Sequence, residues 1–517
     1  MSMKCTSVLL CLCVSYVCLV FVSDARAGTA CENLTTLTLH EIKIKSATPT
    51  AAGLFTPPGA RSPISLPAFC RVIGVATPTP ESNINFEVWI PPADAWNGKF
   101  QGVGNGGFQG SISYDDMASA LRRGYATAST DTGHIGDDLR FAEGHPERIV
   151  DWATRSIHLM TEAAKAIIRD HAGRFPDRSY FYGCNTGGHQ ALMEAQRFPT
   201  DYDGIVAGAP AADRVHEIIG YLGVWKSTHE NDSSLLSQGK LQLLTASAVA
   251  SCDQLDGVKD GVIDDPRRCK FDPAAVLCRN SESESCLTRP EVEAAKKVYS
   301  GVHNPRTGEL IFPGWPVGSE GFGDNANSGW GQMINIREPR RVGFFNYFVF
   351  NDPNWDWRTF DFDRDLAYAD KKMGFISATD RNLTAFKLHG GKLLMYAGWV
   401  DPILPAEDVV EYYEGATKTM GGAAKTTPFF RLFMAPGMGH CAGGPGPTAF
   451  DMMPALEQWV EKGLAPEKVV ASRVTNGKVE RTRPLCPYPQ VARWKGTGST
   501  DDAANFVCVN SGARPTP

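Results

Sequence analysis

A chain of 517 residues with 43% hydrophobic, 21% charged and 10% aromatic residues has the composition of a folded globular protein, not of a disordered one. It is longer than one hydrophobic core usually supports, so two domains or one domain with an insertion are expected. The formal charge of −6 is spread with no Lys/Arg block, which argues against a nucleic-acid partner.

Residues 1–27 carry Lys4, an apolar run from Val8 to Val22, and Ala25-Arg26-Ala27. A charged start, an apolar stretch and a small-residue cleavage site predict a secretory signal peptide cut near Ala27. The run is short for a membrane span and no basic flank follows it, and no later apolar stretch is long enough to span a membrane. Cys5, Cys11, Cys13 and Cys18 leave with the leader, and ten of the 14 cysteines remain. An even set of this size fits a secreted or periplasmic protein.

Beyond a Pro-rich stretch (47–67), short β-rich runs such as 83–90 precede the loop Gly104-Asn105-Gly106-Gly107. A helix over 117–123 and a small-residue strand over 125–129 follow, ending in Thr130-Asp131-Thr132-Gly133-His134. The pattern then predicts a helix over 157–169, a strand over 178–182, a helix over 189–197 and a strand over 204–207. The alternation stops between 211 and 375 and resumes with 392–397, 407–413, 429–435 and a helix over 453–462. Alternating strands and helices predict a parallel α/β sheet, here interrupted by an insertion over 211–375.

The segment Gly183-Cys184-Asn185-Thr186-Gly187 lies where a strand turns sharply into a helix. That is the setting of the nucleophile elbow Gly-x-Ser-x-Gly, whose glycines allow a strained turn to expose the central side chain. Here the central residue is Asn185, whose amide has no oxygen-bound proton for a base to remove. Asp401 follows one predicted strand and His440 the next, in the order nucleophile, acid, histidine. A carboxylate-held histidine suits a general base. The Gly104–Gly107 loop, at Gly106, is a candidate second oxyanion donor beside the N–H of Thr186, and a plain Gly-rich turn fits the same residues equally well. If these loops meet, Cys184 and Cys441 come close enough to bond.

The second constellation is the acidic loop following Cys252, with Asp253, Asp256 and Asp260 among Gly257 and Gly261. Hard oxygen donors in a tight loop suit Ca²⁺, although the spacing is not that of an EF-hand. A solvated acidic turn is the plain alternative. Cys252 and Cys269 bracket the loop.

Seven segments together resemble the tannase/feruloyl esterase family, among them GNGG (104–107), YFYGCNTGGHQALMEAQRFP (180–199), SCDQLDGVKDGVIDD (251–265) and PGMGHCAGGPG (436–446). The resemblance implies an α/β-hydrolase fold, with 28–210 and 376–517 as the catalytic domain and 211–375 as a lid. It implies a Ser-Asp-His triad whose acid and base match Asp401 and His440, and it places Asn185 where the family has Ser. It also implies Ca²⁺ on the side chains of Asp253, Asp256 and Asp260 and the carbonyls of Val258 and Val262. The pairs it implies are Cys31–Cys70, Cys184–Cys441, Cys252–Cys269, Cys278–Cys286 and Cys486–Cys508. The expected function is hydrolysis of small-molecule aromatic esters through an acyl-enzyme, with Asn185 putting turnover in question. The alternative is a pseudoenzyme that binds such esters without cleaving them.

Overall fold

The computed structural model describes residues 28–322 and 329–511, so the leader assigned to 1–27 lies outside the described residues. Nine strands form one sheet: β1 (Ile42–Thr50), β2 (Phe69–Ala76), β3 (Ile84–Ile90), β4 (Lys99–Val103), β5 (Ala126–Thr130), β6 (Arg178–Cys184), β7 (Gly204–Gly208), β8 (Lys392–Gly398) and β9 (Phe430–Ala435). Their spatial order is β1-β2-β3-β5-β4-β6-β7-β8-β9. β1, β2, β3 and β5 pair antiparallel, and from β5 onward every pairing is parallel. This is the doubly wound sheet of an α/β hydrolase.

Parallel strands must be covered on both faces, which is why they read as short, wholly apolar runs. Every residue of β5 and of β7 is buried. One face packs against α2 (Ser156–Ala172), α3 (Thr186–Arg197) and the helix Ala406–Thr419, through residues such as Ile167, Leu192 and Val409. The other packs against the helix Met453–Lys462 through Leu456 and Trp459. Helix α1 (Tyr114–Arg122) crosses between β4 and β5.

Two regions depart from the sequence reading. The Pro-rich stretch over 47–67 begins inside β1, where Pro49 is accommodated because β1 is an edge strand and an edge tolerates a missing N–H. The insertion, read as lacking rhythm, holds the helices Arg214–Thr228 (α4), Gln238–Cys252, Arg289–Ser300 and Arg364–Met373. Among the described residues it adds no strand to the nine-stranded sheet. Its apolar cluster, including Leu222, Trp315, Trp330 and Phe345, continues into Phe108 and Trp152 beside the sheet. After β9, antiparallel pairs over Val469–Thr475 with Lys478–Leu485, and Gln490–Trp494 with Phe506–Asn510, close the chain.

Among the described residues five disulfides join Cys31–Cys70, Cys184–Cys441, Cys252–Cys269, Cys278–Cys286 and Cys486–Cys508, which fits an oxidising compartment. Among the described residues no helix is long and apolar enough to cross a membrane.

Candidate active site

Asn185 stands between β6 and α3 with φ 62° and ψ −118°, a conformation costing about 1–3 kcal/mol that the surroundings must enforce. They do so by close backbone approach. A Cβ on Gly183 would lie 2.5 Å from the Gly187 backbone, and one on Gly188 would lie 2.2 Å from the Gly208 carbonyl oxygen. The Asn185 N–H donates to that same Gly208 carbonyl (3.0 Å) and the Gly187 N–H to the carbonyl of Asn105 (2.6 Å). The turn is thereby pinned to both neighbouring strands' loops, and the Asn185 side chain projects from the sheet's C-terminal edge.

Asp401 and His440 arrive at the same edge. Asp401, 1% exposed, follows β8, and its Oδ1 accepts the N–H groups of Ile403 (2.8 Å) and Leu404 (3.0 Å). These bonds aim Oδ2 at His440 Nδ1, 2.7 Å away. The loop after β9 lies against the end of β8, where Val400 N–H donates to the Met438 carbonyl (3.1 Å). A Cβ on Gly398 would meet that carbonyl at 2.1 Å. The Cys184–Cys441 disulfide joins the residue before Asn185 to the residue after His440 across 257 positions.

The Asn185 amide bridges two partners. Its Oδ1 accepts the Gly107 N–H at 2.7 Å and its Nδ2 contacts His440 Nε2 at 2.6 Å. Because the Gly107 N–H can only donate and Nδ2 can only donate, His440 Nε2 is the acceptor and Nδ1 carries the proton shared with Asp401. The sequence reading named Gly106 as the candidate donor from this loop. It is the Gly107 N–H that reaches residue 185, while Gly106 lines the cavity. Gly107 has φ 57°, which turns its N–H inward. Thr186 is the first residue of α3, and its Oγ1 donates to the Gly107 carbonyl and lies 3.1 Å from Asn185 Oδ1.

The open side is a cavity of about 680 Å³ lined by Gly107, Phe108, Asn185, Tyr221, Arg341 and His440, among others, within the range of small-molecule sites. α4 and residues 340–341 of the insertion form one wall. Arg214, missed in the sequence because no motif marks it, lies at the first position of α4. Its Nη1 pairs with Glu217 (2.9 Å) and its Nη2 donates to Thr186 Oγ1 (3.1 Å), and both side chains are buried. It also lies over the rings of Phe108 and Trp152. Burial, and after it the Arg214 charge, hold the His189 imidazole down to about 3, so it stays neutral. His134, in the Thr-Asp-Thr-Gly-His segment, supports the glycine loop from below through Nε2 to the Phe108 carbonyl (2.6 Å).

The acidic loop lies apart from this cavity. Asp253 Oδ1 accepts the N–H of Asp260 (3.0 Å) and of Gly261 (3.1 Å), and Asp256 accepts that of Val258 (2.9 Å). Asp260 pairs with Arg483 and with Arg481, the latter at 3.4 Å, so part of the negative charge is met by a strand distant in sequence. Among the described residues no three His, Cys, Asp or Glu side chains are grouped to hold a metal ion. Surplus charge remains. Burial, then Asp260, raise Asp256 to about 6, and burial, then Asp256, raise Asp264 to about 7. The buried Asp264 Oδ2 has no hydrogen-bond partner among the described residues.

Against known proteins, the family described as tannase and feruloyl esterase matches residues 70–509. An uncharacterized esterase of Xanthomonas campestris pv. campestris is 40% identical over 95% of this chain and 92% of its own length. The mono(2-hydroxyethyl) terephthalate hydrolase of Piscinibacter sakaiensis is 34% identical over 87% of this chain and 86% of its own. Among solved structures, feruloyl esterase B of Aspergillus oryzae superposes with a TM-score of 0.86 at 30% identity, over 93% of this chain and 99% of that one. Tannin acyl hydrolase of Aspergillus niger shares the fold, with a TM-score of 0.75 at 19% identity over 92% of each chain. The chain is a member of the tannase/feruloyl esterase family, a family of carboxylic ester hydrolases.

Proposed function

We propose that this chain is a secreted protein that binds aromatic carboxylic esters in the cavity above Asn185, with an acyl-transfer apparatus complete except for its nucleophile. The carrying observation is the unbroken series Asp401–His440–Asn185, with contacts of 2.7 and 2.6 Å, ending on an amide. A seryl oxygen at 185 would lie where His440 Nε2 accepts its proton, while Asp401 steadies the imidazolium. The ester carbonyl oxygen, charged after attack, would take the N–H groups of Gly107 and Thr186. The C–O bond then breaks as His440 returns the proton to the departing alcohol, and water releases the acid by the same route. Asn185 instead occupies both the base and the Gly107 donor, which favours binding without turnover in the native chain. Residues 211–375 act as the lid of this site.

Calcium belongs to the same reading, held by the side chains of Asp253, Asp256 and Asp260 and the carbonyls of Val258 and Val262. The all-oxygen donor set suits it, and the orphaned Asp264 oxygen and the raised Asp256 and Asp264 carboxyls mark buried negative charge for it to neutralise. Its role is structural.

The test is hydrolysis of an aromatic acid methyl ester by the native chain beside Asn185→Ser. Release of acid only by the serine variant supports the reading. A variant that folds, binds the ester and releases nothing overturns it.

A further inference from the structure

The Asn185 side chain is itself a carboxylic acid derivative, with a carbonyl oxygen, an acyl carbon and a nitrogen leaving group. It lies among the groups around it as a substrate would. We infer that the folded chain hydrolyses this amide with its own Asp401–His440 pair, turning residue 185 into aspartate and releasing ammonia. The inference goes beyond ester binding and holds whether or not an ester is the ligand.

The geometry meets each need of such a step. When a nucleophile adds to an acyl carbon, the carbonyl oxygen becomes an oxyanion and needs a fixed donor. Asn185 Oδ1 already takes the Gly107 N–H at 2.7 Å. The nitrogen that departs needs a proton from a group within hydrogen-bond reach. Asn185 Nδ2 contacts His440 Nε2 at 2.6 Å. Asp401 Oδ2, 2.7 Å from the other ring nitrogen, stabilises the imidazolium formed on the way. Asn185 is half-buried and lines the cavity of about 680 Å³, which gives water access to the acyl carbon. The Cys184–Cys441 bridge and the bond from the Asn185 N–H to the Gly208 carbonyl at 3.0 Å keep the amide and the imidazole together. Reacting groups held in this way need little further ordering to react.

The step balances with water as its one co-reactant. Water adds to Cγ, its proton passes to His440 Nε2, and the carbonyl electron pair moves onto Oδ1 beside the Gly107 N–H. The tetrahedral carbon then collapses. The Cγ–Nδ2 bond breaks with its electron pair on nitrogen, which takes the proton from His440 Nε2 and leaves as ammonia. The new carboxylic acid gives its own proton to the ammonia, so carboxylate and ammonium are the products. The event happens once per chain, because the acid formed is the side chain itself. His440 then has a carboxylate at each ring nitrogen, which favours its charged form.

The test incubates the folded chain in heavy-oxygen water and follows the peptide that carries residue 185 by mass spectrometry. Asparagine should give way to aspartate with one heavy oxygen in the new carboxylate, at least ~10²-fold faster than in His440→Ala. Aspartate already present in freshly purified chain, and absent from His440→Ala, supports the inference equally. Circular dichroism reports whether that variant folds. If it does not, the native chain unfolded in urea takes its place and should convert as slowly. A folded native peptide that stays wholly asparagine overturns the inference, and so does equal conversion in the folded variant or the unfolded chain. Isoaspartate, the mark of ring closure on the Thr186 nitrogen, overturns the attack by water. No ester enters the readout, so failure of the function proposed above is told apart from failure here.

Discussion

Asn185 and Gly107, 78 positions apart, are joined by a 2.7 Å hydrogen bond from the glycine N–H to the amide oxygen. In the function proposed above that donor serves the charged carbonyl oxygen of an ester, and the opposite end of the same amide rests on His440. One side chain thus engages both the glycine loop and the histidine to which the function proposed above gives acyl-transfer roles.

Asn185→Ser should therefore gain esterase activity, with kcat/KM on an aromatic methyl ester rising at least ~10³-fold over the native chain. Adding His440→Ala should abolish the gain. Stopped-flow or plate assays of acid release check both.

The Cys184–Cys441 bridge holds the Asn185 turn against the His440 loop. Replacing both cysteines by Ala should cost ~2–4 kcal/mol of stability, because a long loop is released in the unfolded chain. In the serine variant it should also lower kcat more than it raises KM, since the base loses its fixed position. Denaturant titration and steady-state kinetics separate the two effects.

His189 gives a pH signature. Its folded pKa lies far below its unfolded value, so between about pH 6.5 and 3 the unfolded chain binds a proton that the folded one refuses. Stability from this group is present above the unfolded pKa and lost on acidification. His189 Nε2 lies 2.6 Å from the Ile376 carbonyl, and relative to His189→Gln, which keeps a donor for that carbonyl, the native chain should lose up to about 1.4 kcal/mol per pH unit below about pH 6.5. Urea unfolding at a series of pH values reads this difference directly, and a flat difference would show His189 to be protonated in the fold.

Chelation should lower the Tm by several degrees, and added Ca²⁺ should restore it, as expected for a ligand bound only by the folded state. Asp256→Asn should make the Tm insensitive to both. An unchanged Tm in the native chain would mean that Arg481 and Arg483 alone balance the loop.

Much of this site could be read in the chain because its parts are local. The Gly183–Gly188 turn, the strand ends before Asp401 and His440, and the apolar runs of β6 to β9 each announce themselves within a few residues. What could not be read depends on distant approach. Gly107 rather than Gly106 presents the inward N–H because of a single positive φ. Arg214 and Glu217 look like ordinary helix-surface residues until the insertion buries them. Arg483 lies 223 positions from Asp260 in a strand pair with no pattern of its own. Two of the insertion's helices, Arg214–Thr228 and Gln238–Cys252, were missed because their apolar residues are spread around the helix, blurring the single stripe that marks a helix on a sheet.

The bridging amide has an evolutionary consequence. Asparagine and serine codons of the types AAY and AGY differ by one transition, and the amide fits between Gly107 and His440 with the surrounding glycines, acid and base all in place. On the function proposed above, one base change at this position would be enough to pass between holding an ester and cleaving it.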